Sequence, residues 1–255
     1  MIALPKFMTD KARVTLAVYR GSKTTSRLAN YFPERFLSYA FLAVGYMTPT
    51  MFATPYEESL NLSKAVLGYE NFGYWDFFSS EGADQTILDH FDSFWDMLYT
   101  NDTTKTITDW SPLGAYEAFI TNDTRIPPVD YVTPEILELI ATSTKERAIQ
   151  MEAIRKGGLA APLNWYKIAR GTLEGQDDQG IPQENALIHR PVFFGAALRD
   201  YVSVSAPTFL AGALVSSNST VTIREYNSGH WVQMAFPDEV NGDLLEWIEG
   251  LGLDA

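Results

Sequence analysis

The chain has 255 residues, of which 46% are hydrophobic, and it carries a formal net charge of −13 at pH 7. That charge argues against a nucleic acid or an anionic membrane surface as a partner, and favours a neutral or apolar small molecule. The absence of cysteine excludes disulfides, thiolate metal sites and cysteine nucleophiles. No apolar run reaches the roughly 18 residues of a membrane span, and no signal-peptide pattern opens the chain, so we expect a cytoplasmic protein.

The first 45 residues predict one βαβ unit. An apolar run at 14–19 predicts a buried strand, and the turn at Arg20-Gly21 leads into a predicted helix over 22–31. Pro33 ends that helix, and 36–45 is a second apolar run that predicts a strand. A strand, a sharp turn, a helix and another strand in this order are typical of a parallel sheet.

The last 70 residues resume the same pattern. Residues 191–197 and 220–226 predict a third and a fourth strand, and the apolar segment 206–215 between them predicts a helix. An amphipathic helix ending near Leu251 closes the sequence. These elements add two further strands to the predicted parallel sheet.

The stretch between these two parts has a helical character. We therefore assign 1–50 and 186–255 to an α/β core and 51–185 to an inserted all-helical domain, with the polar, Gly-rich segment 171–183 predicted as a loop back to the sheet. Within the insertion the apolar spacing predicts helices at 60–67, 86–99, 134–140, 145–155 and 163–169.

Two polar side chains follow consecutive predicted strands. Asp200 comes directly after strand 191–197, and His230 lies in a short loop after strand 220–226. Catalytic groups of α/β sheets gather at the carboxyl ends of strands, so these two side chains could meet as an acid–histidine pair. The alternatives are a turn or helix-capping aspartate and a loop histidine bonded to backbone.

The insertion contributes two tyrosines in aromatic surroundings, Tyr74 and Tyr166. A phenol hydroxyl in an apolar pocket can donate a hydrogen bond to an oxygen that gains charge. The alternative is that both are core aromatics with a polar tip. Candidates for lining a substrate pocket are Trp75, Phe78, Trp165 and Trp231.

Metal chemistry is not expected. The chain has three histidines, and their positions form no ligand cluster. His90 falls in the predicted helix 86–99, and His189 precedes the third strand in a predicted loop. We predict neither a metal nor a cofactor.

These motifs, taken in order, resemble the epoxide hydrolases of the α/β-hydrolase fold, over nearly the whole chain from about Val14 to Leu251. Residues 26–36 resemble that family's helix after the nucleophile, while 72–75 and 164–166 resemble its cap segments. The most specific matches are an aspartate just after Pro191-Val192-Phe193-Phe194, then Ser228-Gly229-His230-Trp231-Val232-Gln233, then Pro237-Asp238-Glu239-Val240-Asn241.

The resemblance implies a parallel α/β-hydrolase sheet with a helical cap and hydrolysis of an epoxide to a diol without a cofactor. It implies that His230 is the base, that Asp200 orients it, and that Tyr74 and Tyr166 hold the epoxide oxygen. In that family an aspartate at the strand-to-helix elbow attacks the epoxide and forms an ester, which water activated by the histidine then hydrolyses. The implied ligand is a small apolar or aromatic epoxide.

The elbow of this chain departs from the family pattern. Aligning Gly21-Ser22 with the Gly-Ser that closes the family's elbow places Tyr19 at the nucleophile position. A phenol is a poor substitute for a carboxylate, because its aryl ether is not hydrolysed as an ester is. Ser22 is a nearby alternative nucleophile, but its place in the first turn of the helix favours capping.

The family's His-Gly-X-Pro oxyanion segment and the strands before the elbow have no counterpart in the sequence. We therefore expect a partial α/β-hydrolase sheet of the last four strands, with strand 14–19 at an edge. Three explanations stay open: an N-terminally incomplete or misassembled form of a longer enzyme, a non-catalytic relative that binds an apolar ligand, or a chain that dimerises or pairs with another chain through the exposed edge and recovers some activity.

Turnover by this chain alone is expected to be weak or absent. A haloalkane dehalogenase-like or ester-cleaving relative is a further alternative. The tyrosine pair favours epoxides over halides, because a strained-ring oxygen needs proton donors.

Overall fold

The computed structural model describes residues 14–18, 20–49, 54–100, 102–126, 134–171, 173–203 and 220–252. They divide into two compact units. Unit 1 consists of the described residues before Thr54 and from Gly175 onward, and unit 2 is Thr54–Glu174. The predicted limits of the inserted domain, 51–185, differ from those of unit 2 and stay a prediction.

Unit 1 is built on a four-stranded parallel sheet in the order β1-β2-β3-β4. The predicted four strands and their parallel arrangement are confirmed. Their register places Ala40 between Leu16 and Phe193, and Phe193 opposite Thr222. The strands are β1 (Val14–Val18), β2 (Ser38–Leu42), β3 (Val192–Ala197) and β4 (Val221–Tyr226).

The two middle strands are buried along their whole length, which is why their sequences are continuous apolar runs. Alternate residues of β2 and β3 point to opposite faces of the sheet. Ala40, Leu42 and Phe193 pack on one face, and Tyr39 and Phe41 pack on the other.

A helix covers each face. Helix α1 (Arg20–Tyr31) contributes Ala29 to the face that holds Tyr39 and Phe41. The C-terminal helix Pro237–Gly250, named α11 below, covers the opposite face with Val240, Leu244 and Trp247. Their spacing of four and three residues places these three side chains on one side of the helix.

The predicted capping role of Ser22 in α1 stays a prediction. The buried Ser22 hydroxyl donates a 2.7 Å hydrogen bond to the carbonyl of Val44, which lies just beyond β2. The helix begins at Arg20, so this bond joins its first turn to the segment after β2. This contact ties the residues after β1 to the carboxyl end of β2.

The secondary structure of unit 2 is helical, with no strand among its described residues. Its helices are α2 (Tyr56–Leu67), α3 (Tyr74–Ser79), α4 (Ala83–Asp89), α5 (Phe91–Leu98), α6 (Ala115–Thr121), α7 (Pro134–Gly157) and α8 (Ala160–Arg170), with a π-helical turn at Thr106–Trp110. Helix α9 (Leu173–Asp178) spans the boundary with unit 1, and helix α10 (Val232–Ala235) precedes α11.

Three predicted boundaries are wrong. The predicted helix 86–99 is two helices, because the chain leaves helical geometry at His90, where φ is −114° and ψ is 35°. The predicted helices 134–140 and 145–155 are one, since the residues between them include no Gly or Pro to break α7. Part of the predicted loop 171–183 is helix α9. The predicted helix 206–215 lies outside the described residues.

None of the helices that the structure describes is both long and apolar enough to cross a membrane.

Candidate active site

The loops after β3 and β4 are joined by backbone hydrogen bonds. The N–H of Leu198 donates to the carbonyl of Tyr226 at 3.0 Å, and the N–H of Arg199 donates to the carbonyl of Ser228 at 2.9 Å. The Arg199 guanidinium adds a 3.0 Å bond to the carbonyl of Asn227. The pairing of the two strands therefore continues past their ends, and it holds the residues that follow each strand side by side.

Asp200 and His230 meet at this edge of the sheet. His230 Nδ1 lies 2.6 Å from Asp200 Oδ2. An ionised carboxylate only accepts hydrogen bonds, so Nδ1 carries a proton, and in the neutral form of the ring the lone pair lies on Nε2. The Asp200 side chain is 2% exposed, whereas that of His230 is 20% exposed. The acid is thus sealed inside the fold, and the imidazole reaches solvent.

The Asp200 carboxylate accepts four hydrogen bonds. Oδ1 accepts from the N–H groups of Val202 and Ser203 at 3.0 and 3.2 Å, and Oδ2 accepts from Ser203 Oγ at 2.5 Å and from His230. Burial alone would raise the pKa of Asp200, but the charge of His230 and the hydrogen bonds of His230 and Ser203 together hold it below its usual value. Asp200 is therefore ionised at neutral pH. Because its Oδ1 accepts hydrogen bonds from the next turn, Asp200 also has the turn-capping role that was the alternative prediction.

The residues around His230 fix its loop. The buried Ser228 hydroxyl donates to the carbonyl of Gly229 at 3.0 Å. The Trp231 ring lies 5.1 Å from the imidazole and nearly perpendicular to it, and α10 begins at the next residue. The imidazole thus packs perpendicular to the indole ring at the start of a helix.

Tyr74 and Tyr166 lie next to each other within unit 2. Helix α3 carries Tyr74 and helix α8 carries Tyr166, and their ring centroids are 6.0 Å apart. Phe78 lies 4.7 Å from the Tyr166 ring, and Trp75 lies 5.4 Å from Trp165. The two tyrosines and three of the four predicted pocket residues thus form one aromatic cluster.

The structure is similar to solved epoxide hydrolases over 94% of the chain. Epoxide hydrolase A from Mycobacterium thermoresistibile superposes with a TM-score of 0.64 at 22% sequence identity, over 70% of its own chain. The chain shares the fold of this solved protein. An epoxide hydrolase from an endophytic Streptomyces gives 0.64 at 20% identity over 69% of its chain, and one from Vigna radiata gives 0.61 at 16% over 70%.

The predicted resemblance to the epoxide hydrolases is confirmed at the level of the fold. No protein-family model matches the sequence, and no curated protein matches it either. At sequence identities of 22% and below, the structural similarity shows the fold alone. The chemistry has to be argued from the residues of this chain.

Tyr19, at the predicted nucleophile position, lies outside the described residues. The other two histidines bond elsewhere: His90 Nδ1 lies 2.7 Å from Asp123 Oδ1, and His189 Nε2 lies 2.8 Å from the carbonyl of Glu184. Among the residues that the structure describes, no group of acidic or histidine side chains is arranged to hold a metal ion.

Sequence reasoning missed two residues beside the predicted site. Ser203 contacts the Asp200 carboxylate, and its only signal is its place three residues after an aspartate, a spacing common in capping turns. Tyr116 adjoins the same aromatic cluster, since the centroid of its ring lies 5.4 Å from that of Phe78. Its hydroxyl is buried without a hydrogen-bond partner among the described residues. No sequence pattern marks Tyr116.

Proposed function

We propose that this chain is an epoxide-hydrolase-like protein in which His230 and Asp200 form the water-activating base, and that its own turnover is weak or absent. The observation that carries the proposal is the 2.6 Å bond from His230 Nδ1 to a buried, fully hydrogen-bonded carboxylate at the carboxyl ends of neighbouring parallel strands. That bond orients the ring and stabilises the imidazolium that forms when Nε2 takes a proton from water.

The proposed reaction has two steps. A carboxylate oxygen attacks an epoxide carbon, the ring C–O bond breaks, and the released oxygen takes a proton from a tyrosine hydroxyl. Water then loses a proton to His230 and attacks the ester carbonyl, which releases the diol and regenerates the carboxylate, and the proton on His230 returns through solvent to the tyrosinate. No step needs a metal or a cofactor.

We assign the proton donors to Tyr74 and Tyr166. Two phenols on neighbouring helices, with rings 6.0 Å apart, suit an oxygen that accepts two hydrogen bonds as its charge grows. The apolar neighbours Trp75, Phe78 and Trp165 favour a small apolar or aromatic epoxide as the ligand. We also assign Trp231 to the substrate pocket, because its apolar ring lies beside the imidazole of His230.

Tyr19 is the reason for proposing weak or absent turnover. The first step needs a carboxylate at the elbow, and the sequence places a phenol there. A tyrosine that opened an epoxide would form an ether, which the His230-activated water cannot cleave as it cleaves an ester.

The test is to restore the nucleophile. The chain as it stands is expected to form no diol above background from a panel of aromatic and aliphatic epoxides, whereas Tyr19→Asp should form diol. Adding His230→Gln to Tyr19→Asp should slow ester hydrolysis by about 10²–10⁴-fold, the usual contribution of a general base. The ester should then accumulate, and intact-protein mass spectrometry would detect it as the added mass of one epoxide.

The matched control is Tyr19→Asn, which has nearly the size of aspartate but no carboxylate, and it should stay inactive. Diol formation by the unaltered chain that is lost in His230→Ala and kept in Tyr19→Phe would contradict the role given to Tyr19. A Tyr19→Asp variant that folds normally and forms neither diol nor ester would contradict the proposed function as a whole.

Tyr19 also favours a second candidate function, a non-catalytic relative that binds an apolar ligand. This candidate expects the unaltered chain to bind epoxides and their diols reversibly, with binding reduced by Tyr74→Phe and Tyr166→Phe. Isothermal titration with one epoxide and its diol separates the candidates, since the second one predicts binding and no turnover even in Tyr19→Asp.

A homodimer through the sheet edge belongs to the same proposal. In the described sheet β1 pairs with β2 alone, so its second edge is open to a strand from another copy. Sedimentation analysis over a range of protein concentrations measures whether the chain forms a dimer.

A further inference from the structure

Asp200 Oδ2 receives two strong donors. Ser203 Oγ donates to it at 2.5 Å, and His230 Nδ1 donates at 2.6 Å. A carboxylate oxygen has two lone-pair sites, so these two donors use the whole capacity of Oδ2. Oδ1 is used in the same way by the N–H groups of Val202 and Ser203. The carboxylate thus has no free lone pair and a single orientation.

Two donors on one oxygen compete for its electron density. Hydrogen bonds to an ionised group are short and strong because the acceptor is fully charged, and each donor takes up part of that charge. The Ser203 hydroxyl therefore weakens the pull of Oδ2 on the His230 proton, while the Ser203 N–H holds Oδ1 in place. Ser203 thus both fixes the orientation of the carboxylate and reduces the strength of Oδ2 as a hydrogen-bond acceptor for His230.

Among the residues that the structure describes, His230 is the one charged group that influences the pKa of this carboxylate. The influences on Asp200 are burial, the charge of His230 and the hydrogen bonds from His230 and Ser203. The Arg199 guanidinium is the nearest cation in sequence, and it bonds to the carbonyl of Asn227 in the loop after β4. The strength of the Asp200–His230 hydrogen bond therefore depends on the competition between Ser203 Oγ and His230 Nδ1 for Asp200 Oδ2.

We propose that Ser203 is a positioning residue for His230: its hydroxyl shares Asp200 Oδ2 with the imidazole and so limits how strongly the acid holds the proton on Nδ1. This inference rests on the proposed function only in that it treats His230 as the reactive base. Ser203 has no contact with the reacting atoms and acts through Asp200.

The test follows the Nδ1 proton of His230 by NMR in the unaltered chain, where turnover is not needed. The chain has three histidines, so single His90→Gln and His189→Gln variants assign the signals. In Ser203→Ala the Nδ1 proton of His230 should move downfield, because Oδ2 becomes a better acceptor. The midpoint of the Asp200 carboxyl carbon titration should rise in the same variant, since one hydrogen bond to the charged form is lost.

Three further variants make the result specific. Ser203→Thr keeps the hydroxyl and should restore the original signal, and Ser203→Cys, with a weaker donor, should give an intermediate shift. Ser228→Ala removes a buried hydroxyl two residues from His230 that does not touch Asp200, and it should leave the Nδ1 signal in place. If Ser203→Ala fails to fold, the Ser203→Cys shift decides the question.

An unchanged or upfield Nδ1 signal in folded Ser203→Ala or Ser203→Cys would overturn the proposal, as would a failure of Ser203→Thr to restore it. These outcomes are independent of catalysis. If Tyr19→Asp forms no diol while the NMR shifts occur as expected, the proposed function fails and the role of Ser203 in the Asp200–His230 pair stands.

Discussion

Gly73 is the residue whose substitution tests the packing around Tyr74 most directly. A Cβ atom added at Gly73 would lie 2.3 Å from the backbone nitrogen of Leu113, 2.5 Å from the carbonyl oxygen of Ser111 and 2.6 Å from the carbonyl carbon of Pro112. All three neighbours are backbone atoms, which cannot turn aside as a flexible side chain can. Gly73→Ala therefore forces one of the two segments to move.

Two effects of Gly73→Ala oppose each other, and their sizes decide the sign. Gly73 has helical dihedral angles, φ −60° and ψ −30°, so alanine suits the backbone and would stabilise it by about 0.5–1 kcal/mol. Overpacking a buried site costs about 1–3 kcal/mol, and three backbone contacts below 3.0 Å place this site at the upper end. We expect a net loss of about 2 kcal/mol, measured by urea unfolding followed through tryptophan fluorescence.

Gly157→Ala is the matched control. Gly157 ends helix α7 of the same unit, and an added Cβ there meets no atom within 4 Å. That variant should be neutral or slightly more stable, because only the helix preference changes. A Gly73→Ala protein within about 0.5 kcal/mol of the original, the usual range for an unhindered substitution, would refute the steric reasoning.

Two other predictions concern buried polar groups. Tyr116→Phe should keep or raise stability by up to about 1 kcal/mol, because its buried hydroxyl has no partner among the described residues; a loss above 1 kcal/mol in urea unfolding would show that a water or ligand satisfies it. Asp200→Asn should cost most stability at neutral pH. Since folding lowers the pKa of Asp200, the carboxylate contributes stability above its ordinary pKa of 3.8 and loses it as the pH falls through the lower folded pKa, so the difference between the two proteins should shrink in acid. An unfolding free-energy difference that stays constant from pH 7 to the acid limit of folding would contradict this.

The sheet and the placement of Asp200 and His230 followed from short-range patterns. β2 and β3 are continuous apolar runs because both faces of each strand are covered, and in a parallel sheet such runs end at a common edge. The polar residue after each run therefore had a predictable location. The break at His90 was not predictable in this way, because the apolar spacing continues through it while the backbone changes direction.

The contacts that refine the site depend on atoms that periodicity does not address. Ser203 reaches Asp200 because the turn after β3 folds its hydroxyl back onto the carboxylate, and a serine at that position has no distinguishing pattern. The close approach of Gly73 to residues 111–113 joins segments nearly forty positions apart. Such contacts are set by tertiary packing, which a single sequence does not display.

In the proposed reaction, Asp200 cannot supply the nucleophilic carboxylate that the sequence lacks at the predicted elbow. A nucleophile needs a free lone pair directed at the substrate, yet each oxygen of Asp200 already accepts two hydrogen bonds. Its side chain is 2% exposed, and its lowered pKa marks an anion whose charge the protein has already stabilised, which reduces its reactivity toward carbon. The same four bonds make it a good orienting acid for His230. Because a carboxylate cannot serve both purposes in one geometry, the proposed reaction requires a second carboxylate, and Tyr19→Asp is the substitution that provides one at the predicted elbow position.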